Sequence, residues 1–285
     1  MRTSLKLSFA VLLLSVFASS QAPQERSVTV FGAKINYIEV GDTAKPKVIL
    51  LHGLGGSVAN WSLNTSAIAQ NYHVIALDQV GFGKSDKPPL KYRLGTYTDF
   101  LDKFMSELKI EKASLVGNSM GGWVAGLMAI KYPNRVEKIV LADAAGIIPA
   151  TFSEAQIYQL NNSTRDEIRA NMKLIFASPV LQNNEPLVDQ FMTARVTAGD
   201  GATINSLIES IKRREDTLND RLSEIKKPTL IIWGKQDGLL PVADAYMFNK
   251  GIAGSELVIF DQCGHVPQFE KAADFNKAVL AFLGK

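Results

Sequence analysis

The sequence predicts an α/β fold in which a largely parallel sheet is covered by helices and an all-helical segment is inserted into the chain. Six short apolar runs rich in Val, Ile and Leu are separated mostly by stretches of helical pattern, which is typical of strands buried on both faces. Strand and helix therefore alternate, as in α/β proteins. The alternation stops between residues 147 and 225, which predicts a separate helical unit there.

The strands and helices are predicted from the pattern of apolar residues. An antiparallel pair at 27–30 and 35–40 alternates around Phe31-Gly32-Ala33. The buried strands are predicted at 48–51, 74–77, 114–116, 139–141, 229–233 and 257–260. Helices are predicted at 97–108, 120–131 and 272–283.

The segment 147–225 carries start signals for helices instead of strands. Ser153 with Gln156, and Thr164 with Glu167, each match the capping box. Ligands of open parallel sheets bind beyond the carboxyl ends of the strands, so an insertion leaving one such end can roof the site. We therefore predict a core domain at 23–146 and 226–285, with a helical cap at 147–225.

Residues 1–22 have the pattern of a signal peptide. Arg2 and Lys6 precede an apolar run at 7–18, and small residues follow. The run is shorter than the roughly 20 residues that a spanning helix needs. We expect an exported protein, periplasmic or secreted, without stable membrane insertion once the signal is removed; an uncleaved anchor is the alternative.

Composition limits the partners and cofactors. The chain has 285 residues, of which 31 are basic and 28 acidic, for a net charge of +3 without a long basic run. This distribution does not predict a nucleic-acid partner. The three histidines show no paired spacing and Cys263 is the only cysteine, so neither a metal site nor an internal disulfide is predicted. A small-molecule substrate is expected.

A serine motif is the strongest chemical signal. Gly117-Asn118-Ser119-Met120-Gly121 matches G-x-S-x-G, a pattern that a chain of this length meets by chance roughly one time in ten. Here it lies between a predicted strand and a predicted helix, the setting of a nucleophile elbow. We therefore predict Ser119 as a catalytic nucleophile.

A serine nucleophile needs a base, and histidine is the side chain best suited to that role near neutral pH. His265 follows the last predicted strand, at the sheet edge where the serine turn is expected. His73 opens a strand and His52 lies in a loop that it is expected to shape. His265 is therefore the predicted base.

The base in turn needs a carboxylate that fixes its tautomer. Asp237 follows the strand at 229–233 and precedes His265, which gives the chain order Ser, Asp, His. Asp143 also ends a strand, one strand after the serine. Asp237 is the predicted acid and Asp143 the alternative.

Acyl transfer also needs amide donors for an oxyanion. The backbone of Met120 is expected to supply one and that of Leu54, after the strand at 48–51, the other. The small residues around Leu54 allow close approach of a substrate, and Gly53 and Asn118 are predicted substrate contacts.

The same loop allows a second hypothesis. Gly53-Leu54-Gly55, followed by a strand that ends in Asp78, imitates a dinucleotide-binding G-x-G-x-x-G motif, but Val58 stands at the third glycine. With the serine motif, Asp237 and His265 present in order, we predict that no cofactor is needed. The loop from Asp78 to Ser85 is expected to be structural.

These motifs together resemble the α/β-hydrolase superfamily from about Val28 to the end of the chain. The resemblance implies an eight-stranded, mostly parallel sheet with a helical cap that leaves after the sixth strand. Gly117 to Gly122, Leu141 to Gly146 and Trp233 to Asp237 resemble monoacylglycerol lipases and related carboxylesterases, which implies hydrolysis of carboxylic esters.

The chain also resembles hydrolases that cleave carbon–carbon bonds in meta-cleavage products. That resemblance rests on the elbow, on Cys263-Gly264-His265 with Gln268, and on Arg195 in the cap as a substrate contact. Val266 stands where those enzymes commonly have Trp, and the Leu54 loop lacks their Gly-Pro-Gly. A third hypothesis is a ligand sensor of the same fold that keeps the three catalytic residues.

Overall fold

Eight strands form one sheet in the computed structural model, which describes residues 23–148 and 160–285. They are β1 Gln24–Val30, β2 Ala33–Val40, β3 Lys47–Leu51, β4 His73–Leu77, β5 Ala113–Asn118, β6 Val136–Ala142, β7 Thr229–Gly234 and β8 Glu256–Phe260. Their spatial order is β1-β2-β4-β3-β5-β6-β7-β8. Only β2 runs antiparallel to its neighbours, and the other pairs are parallel. The predicted α/β class and mostly parallel sheet are confirmed.

Helices cover both faces of the sheet. Those among the described residues are α1 Thr65–Ile68, α2 Leu94–Glu107, α3 Met120–Lys131, α4 Arg165–Ile175, α5 Pro179–Gln182, α6 Glu185–Ala198, α7 Gly201–Lys212, α8 Val242–Gly251, α9 Pro267–Glu270 and α10 Ala272–Leu283. One large apolar cluster includes side chains of α2, α3 and α8, and a second includes side chains of α1 and α10. Since sheet residues contribute to both clusters, the central strands are buried on both faces, as their continuous apolar runs predict.

The largest difference from the predicted helix boundaries is at the start of α2. The helices at 120–131 and 272–283 agree with α3 and α10, but α2 begins at Leu94 and not at 97. The reason is a tertiary contact: the Gly95 amide donates a 2.8 Å hydrogen bond to Asp216 Oδ2. This acceptor satisfies one of the free N–H groups of the first turn, so the helix extends through a glycine that disfavours it.

Strand register brings the loops after the central strands to one edge of the sheet. Leu51 pairs with Gly117, Gly117 pairs with Leu141, and Leu141 pairs with Ile231. The parallel strands β3, β5, β6 and β7 therefore end side by side. The loops carrying the predicted functional groups leave from these ends.

The chain between β6 and β7 is helical wherever it is described. It holds α4 to α7 and no strand within residues 143–148 and 160–228. Thr164 and Glu167 form the predicted capping box at the start of α4. The boundaries 147 and 225 of the cap stay a prediction.

Two expectations fall on residues that the structure does not describe, namely the second capping box, Ser153 with Gln156, and the signal at 1–22. Across residues 23–148 and 160–285, the helices are too short or too polar to span a membrane.

Candidate active site

Ser119 lies in a sharp turn between β5 and α3. Its backbone has φ +56° and ψ −119°, a conformation that costs a non-glycine residue about 1–3 kcal/mol. The turn is held from several sides, because the Ser119 amide donates to Ala142 O (3.0 Å) and its carbonyl accepts from the amides of Gly122 and Ala145 (both 3.0 Å). The strained conformation is thus imposed by its surroundings.

Two glycines make this turn possible. A Cβ atom on Gly121 would lie 2.1 Å from Leu51 O, and one on Gly117 would lie 2.2 Å from Gly121 O. Both distances are far inside van der Waals contact with rigid backbone. The glycines of the G-x-S-x-G pattern are therefore required by the close approach of α3 to β3 and β5.

The two predicted oxyanion donors lie beside the elbow. Met120 is the first residue of α3, where an amide has no partner within the helix. Gly53, next to Leu54, is so close that a Cβ atom on it would lie 3.1 Å from Ser119 Cβ. Among the described residues, no backbone carbonyl accepts a hydrogen bond from the amide of Leu54 or of Met120.

The structure brings Asp237 and His265 together. His265 Nδ1 lies 2.7 Å from Asp237 Oδ2, and both side chains are almost completely buried. Asp237 Oδ1 accepts from the amides of Leu239 (2.8 Å) and Leu240 (2.9 Å). These amides fix the carboxylate, so that His265 donates from Nδ1 and Nε2 is left as the proton acceptor.

The hydroxyl of Ser119 forms no side-chain hydrogen bond within the described part of the chain. The hydrogen bond between a catalytic serine and its histidine is often long before substrate binds and shortens in the complex. The geometry therefore provides a fixed base and a fixed elbow at one edge of the sheet.

Asn118 connects the elbow to the histidine loop. Its side-chain Nδ2 donates to Ala142 O (3.2 Å) and to His265 O (3.0 Å). Both N–H groups are thus used within the protein, and only Oδ1 is available to a substrate. Its observed contacts position His265.

Glu270 was not found by sequence reasoning. Its carboxylate accepts from the amides of Gly264 (2.7 Å), Ala177 (3.0 Å) and Ser178 (3.0 Å). The His265 amide also donates to Ile175 O at 2.7 Å. The end of α4 is therefore bonded directly to the loop of the base. No motif in the sequence marks this contact, which arises between distant segments.

His52 and His73 have the structural positions that their sequence context indicates. His52 Nε2 accepts from the Gln79 amide (3.0 Å), so Nδ1 carries the proton and donates to Gly53 O (2.7 Å). Burial lowers the pKa of His52, and the charge of Asp78 only partly opposes this effect. His73 Nε2 instead contacts Glu39 Oε1 at 2.7 Å.

Asp78 holds its own loop together. Its carboxylate accepts from the Val58 amide (2.7 Å), the Lys84 amide (2.8 Å) and Asn36 Nδ2 (3.0 Å). In the dinucleotide hypothesis an acidic residue in this place would bind a ribose. These bonds occupy the carboxylate, and Gly53 lies against Ser119, so the geometry argues against that hypothesis.

Arg195 of α6 lies over the oxyanion loop. Its Nη1 would be 3.3 Å from a Cβ atom on Gly55. Each nitrogen of the guanidinium has a partner: Nη1 forms an ion pair with buried Asp200, Nη2 donates to Asn161 Oδ1 (2.6 Å) and Nε donates to Asn162 O (3.4 Å). The predicted substrate contact is therefore near the site, but its charge is paired.

Asp143, the alternative acid, lies beside the predicted one. Donor atoms of Asp143, Asp237 and His265 lie within 4.8 Å of one another. Asp143 is completely buried, and its Oδ1 accepts from the Gly234 amide at 3.0 Å. Burial, followed by the charge of Asp237, raises the pKa of Asp143 well above its ordinary value.

Cys263 packs as a small buried side chain close to these acids. Burial raises the pKa of its thiol. A thiol with a raised pKa is a poor nucleophile, so Cys263 is not a competitor of Ser119.

Known proteins resemble this chain over most of its length. It is 32% identical to the dihydrolipoyllysine-residue acetyltransferase component of the acetoin cleaving system of Cupriavidus necator, over 90% of this chain and 68% of that one. It is 34% identical to the 2-hydroxy-6-oxononadienedioate/2-hydroxy-6-oxononatrienedioate hydrolase of Escherichia coli K12, over 84% and 87%.

Solved structures of two hydrolases superpose closely. A bacterial membrane phospholipase A has 30% identity and a TM-score of 0.81, with 92% of this chain and 86% of that chain covered. The meta-cleavage product hydrolase of Pseudomonas fluorescens IP01 has 29% identity and a TM-score of 0.82, with 91% and 97% covered.

A family model described as the alpha/beta hydrolase fold matches residues 46–272. That range contains the elbow, the Asp237 loop and the His265 loop. The chain belongs to the α/β-hydrolase family.

Proposed function

We propose that this hydrolase cleaves carboxylic esters through an acyl-enzyme on Ser119. The observation that carries the proposal is the shared sheet edge, where the strained Ser119 elbow lies beside amides without backbone partners and a buried His265–Asp237 pair. This set supplies a nucleophile, a base and oxyanion donors, which together are what acyl transfer requires.

Each group has a defined task. His265 Nε2 takes the Ser119 proton as the hydroxyl oxygen attacks the ester carbonyl, and returns it to the leaving alcohol. Asp237 keeps the tautomer and stabilises the imidazolium. The amides of Leu54 and Met120 stabilise the tetrahedral oxyanion. Water, activated by the same base, then releases the acid and restores Ser119.

The test is hydrolysis of p-nitrophenyl and monoacylglycerol esters of varied chain length by the purified protein. Ser119→Ala should abolish hydrolysis, with a loss of kcat of about 10⁴-fold or more. Ser62→Ala, which removes an exposed serine outside the site, should leave kcat unchanged. Retained hydrolysis in Ser119→Ala would falsify the acyl-enzyme mechanism.

Carbon–carbon bond hydrolysis is the second candidate, and the relative in Escherichia coli supports it. By its name, that enzyme acts on a dicarboxylate. The pairing of Arg195 with buried Asp200 supports the ester instead, because a cation that is already neutralised gains little from an anionic substrate. Incubation with a ring-fission dienone decides between them: loss of its colour faster than ester hydrolysis would favour the second candidate.

The effect of Arg195 on the choice of substrate can be tested separately. Asp200→Asn should free the guanidinium and raise kcat/KM for mono-p-nitrophenyl succinate relative to p-nitrophenyl butyrate on the order of tenfold. Asp166→Asn, which removes one of the two acidic partners of the cap residue Arg169 at an exposed site, is the control and should leave the ratio unchanged. An unchanged ratio in Asp200→Asn would remove Arg195 from the choice of substrate.

Ligand sensing, the third hypothesis, would give a different result with the same panel of esters. Barely measurable turnover of every ester, together with a large ligand-induced rise in melting temperature, would favour ligand sensing over hydrolysis.

We also propose that the protein is exported by the signal at residues 1–22. Cell fractionation should recover the full activity outside the cytoplasm, in a form shortened at its N-terminus. Activity confined to the cytoplasm in a full-length form would contradict export.

A further inference from the structure

Asp143 is a buried carboxyl group for which the ester mechanism has no use. It follows β6 directly, in a backbone conformation with φ +41°. Its amide donates to Ile232 O at 2.9 Å, and its Oδ1 accepts from the Gly234 amide. Both contacts are with β7, so the side chain is held at the end of the strand that leads to Asp237.

One oxygen of Asp143 is without a donor. Within the described residues, Oδ2 is buried and no N–H or hydroxyl group donates to it. A carboxylate oxygen of Asp237 lies within 4.8 Å of an oxygen of Asp143. Two carboxylates this close and shielded from water cannot both be charged, so one of them must carry a proton.

The surrounding donors decide which carboxyl is neutral. Asp237 accepts from the amides of Leu239 and Leu240 and from His265 Nδ1. Asp143 accepts from one amide only. The other titratable groups that face Asp143 are His265, Glu270 and Cys263. Of these only His265 can carry a positive charge, and its Nδ1 is hydrogen-bonded to Asp237. The charge is therefore better stabilised on Asp237 than on Asp143.

We propose that the acid of this site is a pair sharing one proton, in which Asp143 stays a neutral carboxylic acid and donates a hydrogen bond from Oδ2 to Asp237. Asp143 is then a positioning residue, because it acts on His265 only through Asp237. It fixes the Asp237 carboxylate through that hydrogen bond. The role of Asp143 in catalysis rests on the proposed function, but the protonation of Asp143 can be tested without any substrate.

The pH dependence of unfolding tests whether Asp143 is protonated in the folded protein. A buried acid that stays neutral in the folded chain ionises once the chain unfolds, so stability falls as pH rises above the ordinary aspartate pKa. Asp143→Asn keeps the shape, the acceptor for Gly234 and a donor to Asp237, but it cannot ionise. The unfolding constant of the unmodified protein relative to Asp143→Asn should rise by up to about tenfold per pH unit above pH 4.

Urea unfolding across a pH series measures this ratio. A ratio that stays constant or falls with pH would show that Asp143 is ionised in the folded protein, and would overturn the proposal. If Asp143→Asn does not fold, infrared spectroscopy of the unmodified protein at neutral pH gives the same answer. The carbonyl band of a protonated carboxylic acid should be present, and its absence would overturn the proposal.

A double-mutant cycle tests the pairing. With Asp237→Asn in the background, no charge opposes ionisation of Asp143, so the pH-dependent gain from Asp143→Asn should shrink. An equal gain in both backgrounds would show that Asp143 does not share its proton with Asp237.

The effect of Asp143 on catalysis is measured separately, by steady-state kinetics. Asp143→Asn should keep kcat/KM for p-nitrophenyl esters within about twofold, whereas Asp143→Ala, without a donor, should lower kcat about tenfold with little change in KM. Equal losses in both variants would contradict a donor role. Since the unfolding measurements do not involve Ser119, failure of the proposed ester mechanism would leave them interpretable.

Discussion

The elbow of the core and the helices of the cap are held in different ways. In the core, the Ser119 backbone is fixed by hydrogen bonds from β6 and by glycines that leave no space for a side chain. The small apolar cluster of the cap buries four residues fully, Ile168, Met172, Phe176 and Val188, and exposed ion pairs such as Arg169–Glu185 surround it. Exposed ion pairs contribute little to stability.

From this difference we expect the chemistry to depend on the core and the choice of substrate to depend on the cap. The proposed reacting groups lie on loops whose geometry the sheet determines, so their positions allow little variation. Arg195 and Asp200 form their ion pair in the cap, where we expect a substitution to change the charge near the site without moving the elbow. Glu270 joins the two regions, because it binds amides of both.

The largest expected effect is on the chemistry of the core. His265→Ala should lower kcat for esters by about 10⁴- to 10⁶-fold, because the nucleophile loses its base while the fold is kept. Another buried histidine, His73, provides the control: His73→Gln should leave kcat within about threefold. Similar losses in both variants would indicate damage to the fold and not to the chemistry.

The next effect compares glycines of the two regions. Gly121→Ala should destabilise the protein by at least about 3 kcal/mol, since the new methyl group would meet the Leu51 carbonyl at 2.1 Å. Gly201→Ala at the start of α7 in the cap has no atom closer than 3.9 Å and should be neutral or slightly stabilising. Urea unfolding of both variants measures the difference. Equal stabilities would show that the core is less rigid than its contacts indicate.

The sequence predicted those parts of the fold that rest on local pattern. All eight strands, α3, α10 and the capping box at Thr164 follow from apolar runs and capping residues. The start of α2 was predicted three residues late, because Asp216 supplies its acceptor from a distant segment. Periodicity carries no information about such contacts.

In the candidate site, too, local pattern could be predicted and contacts between distant segments could not. Ser119, Asp237 and His265 could be proposed because each follows a strand, and parallel strand ends meet at one edge. The contacts of Glu270 with the residues that follow α4, the pairing of Arg195 with Asp200, and the proximity of Asp143 to Asp237 could not. They depend on how loops far apart in the chain pack against one another.

A smaller effect is expected where the two regions meet. Glu270→Gln exchanges one acceptor oxygen for an NH₂ group that faces backbone amides, so a buried donor loses its partner. We expect a loss of about 2–3 kcal/mol in the free energy of unfolding, together with a lower kcat because the His265 loop loses its anchor. Glu185→Gln, which weakens the exposed ion pairs with Arg165 and Arg169, should cost much less, because exposed ion pairs contribute little. Equal costs would mean that the cap does not depend on Glu270.

The smallest effect concerns an acid of the core. Asp244 lies in the first turn of α8, where a helix favours negative charge, yet burial, with the charge of Asp237, raises its pKa from 3.8 to about 6. The unfolded chain therefore ionises at lower pH than the folded one, and stability falls between these two values. Asp244→Asn should stabilise the protein by about 1–2 kcal/mol at pH 7, and by almost nothing below pH 4. Asp274→Asn, at an exposed first-turn position of α10, should show no such gain. A gain for Asp244→Asn that is independent of pH would mean that packing, and not charge burial, limits stability at this position.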